Sequence, residues 1–539
     1  MKQQGKNIMW KRIAIIIGII IVFLVYVILR FDLMPHDKDY IDGNVLNVTY
    51  RTTWEGPNVI VSPWVNMDFN TMIMYRTLFL ADATFTEIEN DLAEDYLILD
   101  DGLTYSITLK DDVIWSDGTP LTVEDIRFSL EAILLADVSN AIYTTAFLNI
   151  EGVEEYLENP SVGISGVETS EDTIIIRLDN AYPSMLQVLA QFVILPEHVL
   201  AEEDLEHLYE NEYWNYPVVS GMYKVGEIDT GNTITFVKNE YYVGQEPNID
   251  TVVLHVDIQT TELDFISTTS ITDMINYQAM RGRTEYPIDL LFYRYFVFNM
   301  EGIDGSENEA MQDVRVRQAI AYAINQEDIL DDVYLNAGSL IDSGVPRYYD
   351  TYNGVEMTYD PEKAKELLAE AEYDFDRELR IAYYYPDDTT QYFLDRVMSD
   401  LEAVGFTVVA EFATNGTTEL FDTRDYDIGL KGLSAFQISE WYDEYLATEV
   451  KFNMIFPTDS EFHDIVVDYN SATDESQSNA LLGLLQELEA EYMYKLPLFT
   501  LGGAVFINED RVEVPDDIVF ANPYYRYDMQ FEEWEIKKD

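Results

Sequence analysis

Residues 99–130 read LDDGLTYSITLKDDVIWSDGTPLTVEDIRFSL, and they carry the clearest local structural signals in the chain. Apolar and polar residues alternate over 105–109, as in a strand with one buried face. Asp117-Gly118 predicts a turn. Thr122 precedes Asp125 by three residues, the spacing of an N-cap pairing at the start of a helix. The stretch therefore predicts a hairpin, a turn and a capped helix, an arrangement that carries no chemistry by itself.

Regular patterns continue along the rest of the chain. Residues 313–325 read DVRVRQAIAYAIN and place their apolar side chains on one helical face, and Asp360-Pro361 predicts the start of another helix. Predicted strands at 379–385 and 406–412 flank a predicted helix at 390–403, and such β-α-β alternation indicates a parallel sheet. The shorter predicted elements are a strand at 44–51, a helix at 71–80, a strand at 113–115, a hairpin at 167–178 and a helix at 481–491.

Several of these stretches resemble one protein family. The pattern DDGLTY…V.WSDGTPLT.ED..FSLE within 100–131, the helix at 313–325 and PEKAKELLAEAEY at 361–373 are similar to the signature of extracytoplasmic solute-binding proteins of the oligopeptide, dipeptide and nickel class. These are the family 5 binding subunits of ABC importers. The resemblance covers 44–539, with a weak patch at 259–288. At 216–223 the chain reads YPVVSGMY, where the family usually has pvGTGPY, so the turn at this position is altered.

The resemblance implies an α/β chain with the two-lobed, periplasmic-binding-protein-like (type II) fold. An extra domain would be inserted in the first lobe. The implied boundaries are the first lobe with its inserted domain at 44–294, the second lobe at 295–500, and a return to the first lobe at 501–539. Ligand would bind between the lobes, and closure would be a hinge motion near 295–299 and 499–503.

The composition predicts a folded, strongly acidic protein. The 539 residues are 47% hydrophobic and 13% aromatic, enough for two or three lobes. The balance of 32 basic and 100 acidic residues gives a formal charge of −68, which excludes nucleic acid as a partner because phosphate binding needs clustered Lys and Arg. The charge is typical of a solvated, self-repelling surface, and adaptation to a salty or acidic exterior is the alternative. Absence of cysteine excludes disulfides, a thiol nucleophile and a lipid-modified cysteine.

The N-terminus predicts a membrane anchor. Residues 1–12 contain Lys and Arg but no acid, and 13–29 read IAIIIGIIIVFLVYVIL, near the short end of a membrane span. The positive charge places 1–12 in the cytoplasm, and 30–43 would be a linker to an extracytoplasmic bulk. A cleaved signal peptide is the alternative, but cleavage needs small residues after the apolar core, and none follow. We therefore predict an uncleaved, single-pass signal-anchor in the cell membrane.

Motifs for catalysis and for metal binding are missing from the sequence. The histidines are never four residues apart and none lies in HExxH; they are His36, His198, His207, His255 and His463. P-loop, GxSxG and EF-hand patterns are missing too, and the many acids prevent any single carboxylate pair from standing out. The sequence therefore predicts a protein that is not an enzyme and has no cofactor or bound metal.

The predicted ligand-binding segment is 429–446, which reads GLKGLSAFQISEWYDEYL. It follows a strand, where α/β sheets bind ligands, and its aromatic residues are rigid anchors of the kind that pockets use; ordinary core packing is the open alternative. In peptide-binding relatives an aspartate of this region binds the ligand's α-ammonium. That position falls at or near Phe436, so Asp443 or Glu440 would substitute, or the ligand lacks the ammonium. The predicted ligand-binding residues are Phe436, Trp441, Tyr442, Asp443 and Trp54.

The resemblance implies a membrane-anchored, extracellular binding protein. It would act as a monomer that captures peptides or peptide-sized solutes and delivers them to the permease and ATPase subunits of an ABC transporter. A peptide sensor or adhesin on the same fold stays open as an alternative. An extracellular hydrolase is disfavoured because the sequence shows no arrangement of nucleophile and base.

Overall fold

Strands and helices alternate through most of the chain, as the β-α-β patterning predicts, and they form a mixed α/β structure. The computed structural model describes residues 41, 43–50, 58–60, 69–85, 87–138, 146–182, 184–229, 232–256, 263–300, 308–416, 418–435, 437–446, 461–472 and 475–537. Among the described residues, no helix is both long and apolar enough to cross a bilayer. The predicted anchor at 13–29 and linker at 30–43 lie almost wholly outside the described residues.

The strands of the described residues are numbered in chain order. They are β1 (Val45–Tyr50), β2 (Phe79–Ala81), β3 (Ile88–Asn90), β4 (Ala93–Leu99), β5 (Thr104–Leu109), β6 (Val167–Ser170), β7 (Thr173–Arg177), β8 (Tyr223–Asp229), β9 (Thr233–Lys238), β10 (Thr251–Val256), β11 (Phe265–Thr268), β12 (Arg283–Phe298), β13 (Gly338–Leu340), β14 (Glu378–Tyr383), β15 (Thr407–Phe412), β16 (Ile428–Ser434), β17 (Lys495–Asn508), β18 (Val512–Glu513) and β19 (Glu535–Ile536).

The α-helices of the described residues are numbered in the same way. They are α1 (Phe69–Met74), α2 (Val123–Leu135), α3 (Val153–Glu158), α4 (Met185–Gln191), α5 (Glu197–Leu200), α6 (Ile271–Gln278), α7 (Glu309–Gln312), α8 (Val314–Ala323), α9 (Gln326–Tyr334), α10 (Pro361–Glu370), α11 (Asp388–Ala403), α12 (Ser439–Asp443), α13 (Glu461–Asn470) and α14 (Glu475–Tyr492).

One sheet, in the order β15-β14-β16-β12-β17-β11-β1-β10-β9-β8, lies against separate hydrophobic cores. The part around β1 and β8–β11 is called here the first lobe, and the part around β14–β16 is called the second lobe. The two long strands of the sheet, β12 and β17, are antiparallel partners along most of their length and belong to both lobes. Their pairing shifts register between Asp289 and Phe292, where Leu291 adopts a left-handed φ of 47°. Gly502 lies opposite Asp289, and a Cβ there would come 2.8 Å from the carbonyl oxygen of Ile288. A β-bulge of this kind is expected to bend the strand that contains it.

The stretch at 99–130 lies in a separate four-stranded sheet, β4-β5-β7-β6, next to the first lobe. Strand β5 buries alternate residues, and the hairpin β6-β7 confirms the prediction for 167–178. Helix α2 begins at a capping box in which Thr122 and Asp125 bond each other's backbone, as predicted. The predicted strand at 113–115 is only an isolated bridge between Ile114 and Pro120, because a five-residue return leaves no room for a ladder.

The second lobe is a parallel β14-β15-β16 arrangement with helices on both faces. It confirms the predicted β-α-β unit, and Asp313, Asn325 and Asp360 cap α8, α9 and α10 with their side chains. The predicted helix at 71–80 was too long. Helix α1 ends at Met74, because the next residues lead into β2, which pairs with β3 through Phe79. The unassigned patch at 259–288 contains β11, α6 and the start of β12.

The C-terminal return is fixed to the first lobe by a buried arginine. The Arg526 guanidinium donates hydrogen bonds of 2.6 Å to the carbonyl oxygens of Thr71 and of Tyr75, at the end of α1. Its backbone N–H donates to the Gln191 amide oxygen at 2.6 Å. Arg526 is only 3% exposed, so these carbonyl groups have no access to bulk water as a replacement partner.

We expect Arg526→Met to destabilise the first lobe, because it removes the guanidinium donor from the buried Tyr75 carbonyl group and one of the two donors, the other being the Tyr75 N–H, from the Thr71 carbonyl group. The loss of a donor to a buried carbonyl group costs about 1 to 3 kcal/mol, and urea unfolding should show a loss of this size. Arg177→Met is the matched control, since Arg177 pairs with Glu168 at the surface and its loss should change little. Equal effects of the two substitutions would contradict the anchoring role of Arg526.

Candidate functional site

The carboxyl ends of the parallel strands in both lobes point toward the bulge that separates them. In the second lobe, Ser434 at the end of β16 pairs with Phe292 of β12, directly after the bulge. In the first lobe, Thr268 at the end of β11 pairs with Ala504 of β17, close before it. Open α/β sheets bind ligands outside the carboxyl ends of their strands. The space between the two sets of strand ends, called here the interlobe cleft, is therefore the candidate site.

Tyrosine hydroxyls and carboxylates of the two lobes meet across the interlobe cleft. The hydroxyl of Tyr525, from the C-terminal return, lies 3.3 Å from the Ser434 hydroxyl. Tyr182, near the four-stranded sheet, faces Glu440 and Asp443 of α12. Burial first, and then the two negative charges, raise the pKa of Tyr182. The first lobe therefore approaches the segment around α12, which is the segment that the sequence analysis selected.

Asp443 is a carboxylate in an unfavourable environment. It accepts a 2.6 Å hydrogen bond from the Asn470 amide. Burial raises the pKa of Asp443 to about 6, although the bond from Asn470 and the charge of Lys495 act in the opposite direction. Since a buried carboxylate of this kind lacks a full counter-charge, a cation that enters the cleft would find a partner here.

Trp441 and Tyr442 lie in the apolar core of the second lobe, below the cleft, and both are 0% exposed. The Trp441 ring packs between Tyr293 and Tyr295, at centroid distances of 4.8 and 4.7 Å. Its Nε1–H donates to Glu489 at 2.5 Å. Core packing was the open alternative for these residues, and ligand contact by them stays a prediction. Phe436 and Trp54 lie outside the described residues.

A network of buried charges holds this segment in place. Lys431 and Lys495 both donate to the Glu444 carboxylate, as does the Tyr295 hydroxyl at 2.7 Å. Burial alone would raise the pKa of Glu444, but the two ammonium groups and these bonds outweigh it and lower the pKa to about 2. Burial lowers the pKa of Lys495 to about 8, against the charges of Glu444 and Glu489.

Glu489 of α14 completes the network from the other side. It accepts hydrogen bonds from Trp441 and from the hydroxyls of Tyr442 and Tyr445, at 2.9 and 3.0 Å for the two tyrosines. Burial raises the pKa of Glu489, with Lys495 as the main opposing charge. The network fixes the backbone of 441–445, and therefore the position of Asp443, without offering a group that is free to react.

The charged members of this network and the cleft residues of the first lobe were not predicted from the sequence. Lys431 stands inside the apolar strand sequence IGLKGLS, and Lys495 opens the apolar run KLPLF, so a charge within a buried strand was the available signal. No local pattern could have brought Tyr182 and Tyr525 to α12. Among the described residues there is one exposed group of possible metal ligands, formed by Asp204, Glu206 and His207. No other feature of this group indicates a bound ion.

Comparisons with known proteins identify the family and the fold. A family model described as "Bacterial extracellular solute-binding proteins, family 5 Middle" matches residues 87–448. A Brucella ovis protein named as an ABC transporter peptide-binding protein is 26% identical over 370 residues, which are 64% of this chain and 63% of that protein. The oligopeptide-binding protein AppA of Bacillus subtilis is 23% identical over 75% of this chain and 80% of its own length.

A solved structure has the same fold. Lactococcal OppA, complexed with an endogenous peptide in its closed conformation, superposes with a TM-score of 0.70. The two chains are 20% identical, and the superposition covers 91% of this chain and 100% of OppA. The match to the Brucella ovis relative spans less than two thirds of that protein's length.

We expect Asp443→Asn to stabilise the ligand-free protein above pH 6. Folding raises the pKa of Asp443 from 3.8 to about 6, so its contribution to stability is full below pH 3.8 and is lost as pH rises through 6. Asparagine keeps the acceptor for Asn470 and carries no charge. The variant should exceed the wild type by up to about 3 kcal/mol at pH 8 and match it near pH 4, in urea unfolding at both pH values. The same stability difference between variant and wild type at pH 4 and at pH 8 would contradict the burial of this charge. Asp464→Asn is the control, because Asp464 is exposed and its loss should change stability little at either pH.

Proposed function

Since the chain belongs to the bacterial extracellular solute-binding proteins of family 5, we propose that it captures peptides or peptide-sized solutes and delivers them to an ABC permease and its ATPases. Members of this family are binding proteins for transport and not enzymes, in agreement with the prediction from the sequence. The family also indicates a location outside the cytoplasm. Relatives named for peptide binding support the choice of ligand class.

The single observation that carries this proposal is the interlobe cleft. Two sets of strand ends face each other across a bulge in the strands that join the lobes, and polar side chains of both lobes meet there. A ligand in such a cleft can contact both lobes at once, and binding energy can then drive closure. The register shift at Asp289–Phe292 is where we propose the hinge, since a bulge already bends the ladder there.

A positively charged group of the ligand is the expected partner of the α12 carboxylates. Asp443 and Glu440 both act electrostatically on Tyr182 across the cleft, so a ligand between the lobes would lie close to both. A peptide α-ammonium fits this position, because it can donate hydrogen bonds to a carboxylate whose charge is poorly compensated. This proposal gives Asp443 the role that relatives give to an aspartate near Phe436.

Membrane anchoring remains part of the proposal. The apolar run at 13–29 would tether a monomeric binding protein at the outer face of the membrane and raise its effective concentration near the permease. N-terminal sequencing of the protein from a membrane fraction tests the anchor. A mature start between residues 25 and 42 would show cleavage and contradict it.

Peptide capture is tested with a random hexapeptide library that has free N-termini and a matched N-acetylated library. Wild-type protein should retain free-amine peptides unchanged, as read by mass spectrometry, and saturation at one hundred times Kd should add about 2.7 kcal/mol of stability. Asp443→Asn should weaken retention of free-amine peptides about tenfold and spare the acetylated ones, and Asp464→Asn should change neither. Cleaved products would favour a hydrolase, and no retention of either library would overturn peptide capture.

A further inference from the structure

Among the described residues, Arg294 is a cation without an anionic partner, and it lies in β12 two residues after the bulge at Asp289–Phe292. Within the described part of the chain it has no hydrogen bond and no ion pair, and its Nη1 atom is buried and unpaired. Other buried or partly buried arginines of this acidic protein have acceptors: Arg76 pairs with Asp91, Arg377 pairs with Asp427, and Arg317 donates to backbone carbonyl oxygens. A buried guanidinium N–H without an acceptor costs free energy, so an arginine here needs an explanation.

Two aromatic rings lie against the guanidinium of Arg294. The Arg294 Cζ atom lies 3.7 Å from the centre of the Tyr385 ring and 4.8 Å from the centre of the Phe292 ring. Ring contacts of this kind stabilise the charge but accept no N–H bonds in the guanidinium plane. The side chain as a whole is partly exposed, so a ligand can approach it from the cleft.

Two tyrosine hydroxyls lie beside this cation and are available to a ligand. The hydroxyls of Tyr384 and Tyr385 are 2.7 Å apart and share one hydrogen bond. That bond uses one of their two protons, so the other proton can be donated to an acceptor. Burial raises the pKa of Tyr384, which keeps this hydroxyl protonated.

Two glycines make room for the group. A Cβ on Gly432 would lie 2.5 Å from Nη1 of Arg294 and 2.5 Å from the Tyr385 hydroxyl, and a Cβ on Gly416 would lie 2.8 Å from Cβ of Tyr384. Any larger residue would push the cation and the hydroxyls apart. The chain therefore has the small residues that this arrangement requires.

The group lies where the lobes meet. Gly432 pairs with Arg294, and Ser434, two residues further along β16, pairs with Phe292 and contacts Tyr525 of the first lobe at 3.3 Å. Closure of the lobes would therefore enclose whatever is bound at Arg294. A planar guanidinium with a free edge, flanked by hydroxyl donors, matches the geometry of a carboxylate.

We propose that Arg294, with the hydroxyls of Tyr384 and Tyr385, binds a carboxylate of the ligand. This inference rests on the proposed function, and it defines the ligand further as a peptide or peptide-sized solute that carries an acidic group. The group is a C-terminal carboxylate or an acidic side chain, which share the same chemistry.

The test compares two random hexapeptide libraries, one with free C-terminal carboxylates and one with C-terminal amides. Wild-type protein should retain free-acid peptides about tenfold better than neutral amides. Arg294→Gln should abolish this preference and leave the retention of neutral amides unchanged. Tyr385→Phe, which keeps the ring over the guanidinium, should reduce the preference by a smaller factor. The bound carboxylate comes from an acidic side chain if the wild type enriches peptide amides that contain Asp or Glu and Arg294→Gln does not.

Arg380→Gln is the matched control, because Arg380 lies in the same lobe and pairs with Asp425 and Glu411 at the surface. It removes the same charge and should keep the full preference. Equal retention of acids and amides by the wild type, or an equal loss of both in Arg294→Gln, would overturn the carboxylate subsite while leaving peptide capture intact. Retention of neither library would overturn the proposed function itself. If a melting curve shows that Arg294→Gln does not fold, Tyr385→Phe and Arg294→Lys replace it in the test. Arg294→Lys should reduce the preference for free-acid peptides, because lysine keeps the charge but lacks the planar pair of donors.

Discussion

The structure depends on two strands that have to serve both lobes. Strands β12 and β17 form one antiparallel ladder, and the lobes share it. A regular ladder would hold the lobes rigidly, but the register shift at Asp289–Phe292 interrupts it at the boundary, next to the paired Gly502 and Gly503. The Asp289 carboxylate accepts a 2.7 Å hydrogen bond from the Thr500 hydroxyl at this position. The carboxyl ends of β16 and β11 both lie close to this register shift, which is why the candidate site is placed there.

The buried charges of the second lobe are better explained by positioning than by stability. Taking Glu444, Lys431 and Lys495 out of water is costly, and apolar replacements of buried ion pairs are often as stable or more stable. The hydrogen bonds of such a network, however, allow only one arrangement of the segment around α12. Asp443 lies within this segment, and its raised pKa means that folding disfavours its charge, which Asn470 and Lys495 offset only in part. Functional sites are where such a loss of stability is expected.

Local structure was predictable wherever one side chain determines it. The helix starts at Thr122 and Asp360 were both expected from residue type and spacing, and both are present. Predictions failed where tertiary pairing decides the outcome, as at 71–80, where β2 forms against β3 and ends the helix early. The site was predictable only in part for the same reason. The segment around α12 follows a strand and could be found, but Tyr182, Tyr525 and Arg294 reach the cleft through the fold.

The charges in the cleft are arranged on opposite faces of one sheet. Along β12, Tyr293 and Tyr295 pack toward α12 and the buried network, whereas Arg294 points to the other face, beside Phe292 and Tyr385. Along β16 the same alternation puts Lys431 with Glu444 and Gly432 with Arg294. The Tyr384–Tyr385 pair stands at the end of β14, between the two faces. A ligand that met both the carboxylates of α12 and the guanidinium would therefore lie across the strand ends, from one face of the sheet to the other. The carboxylates of α12 alone would attract any cation to this acidic protein. The positive charge of Arg294 can therefore select a ligand that carries both a positive and a negative group.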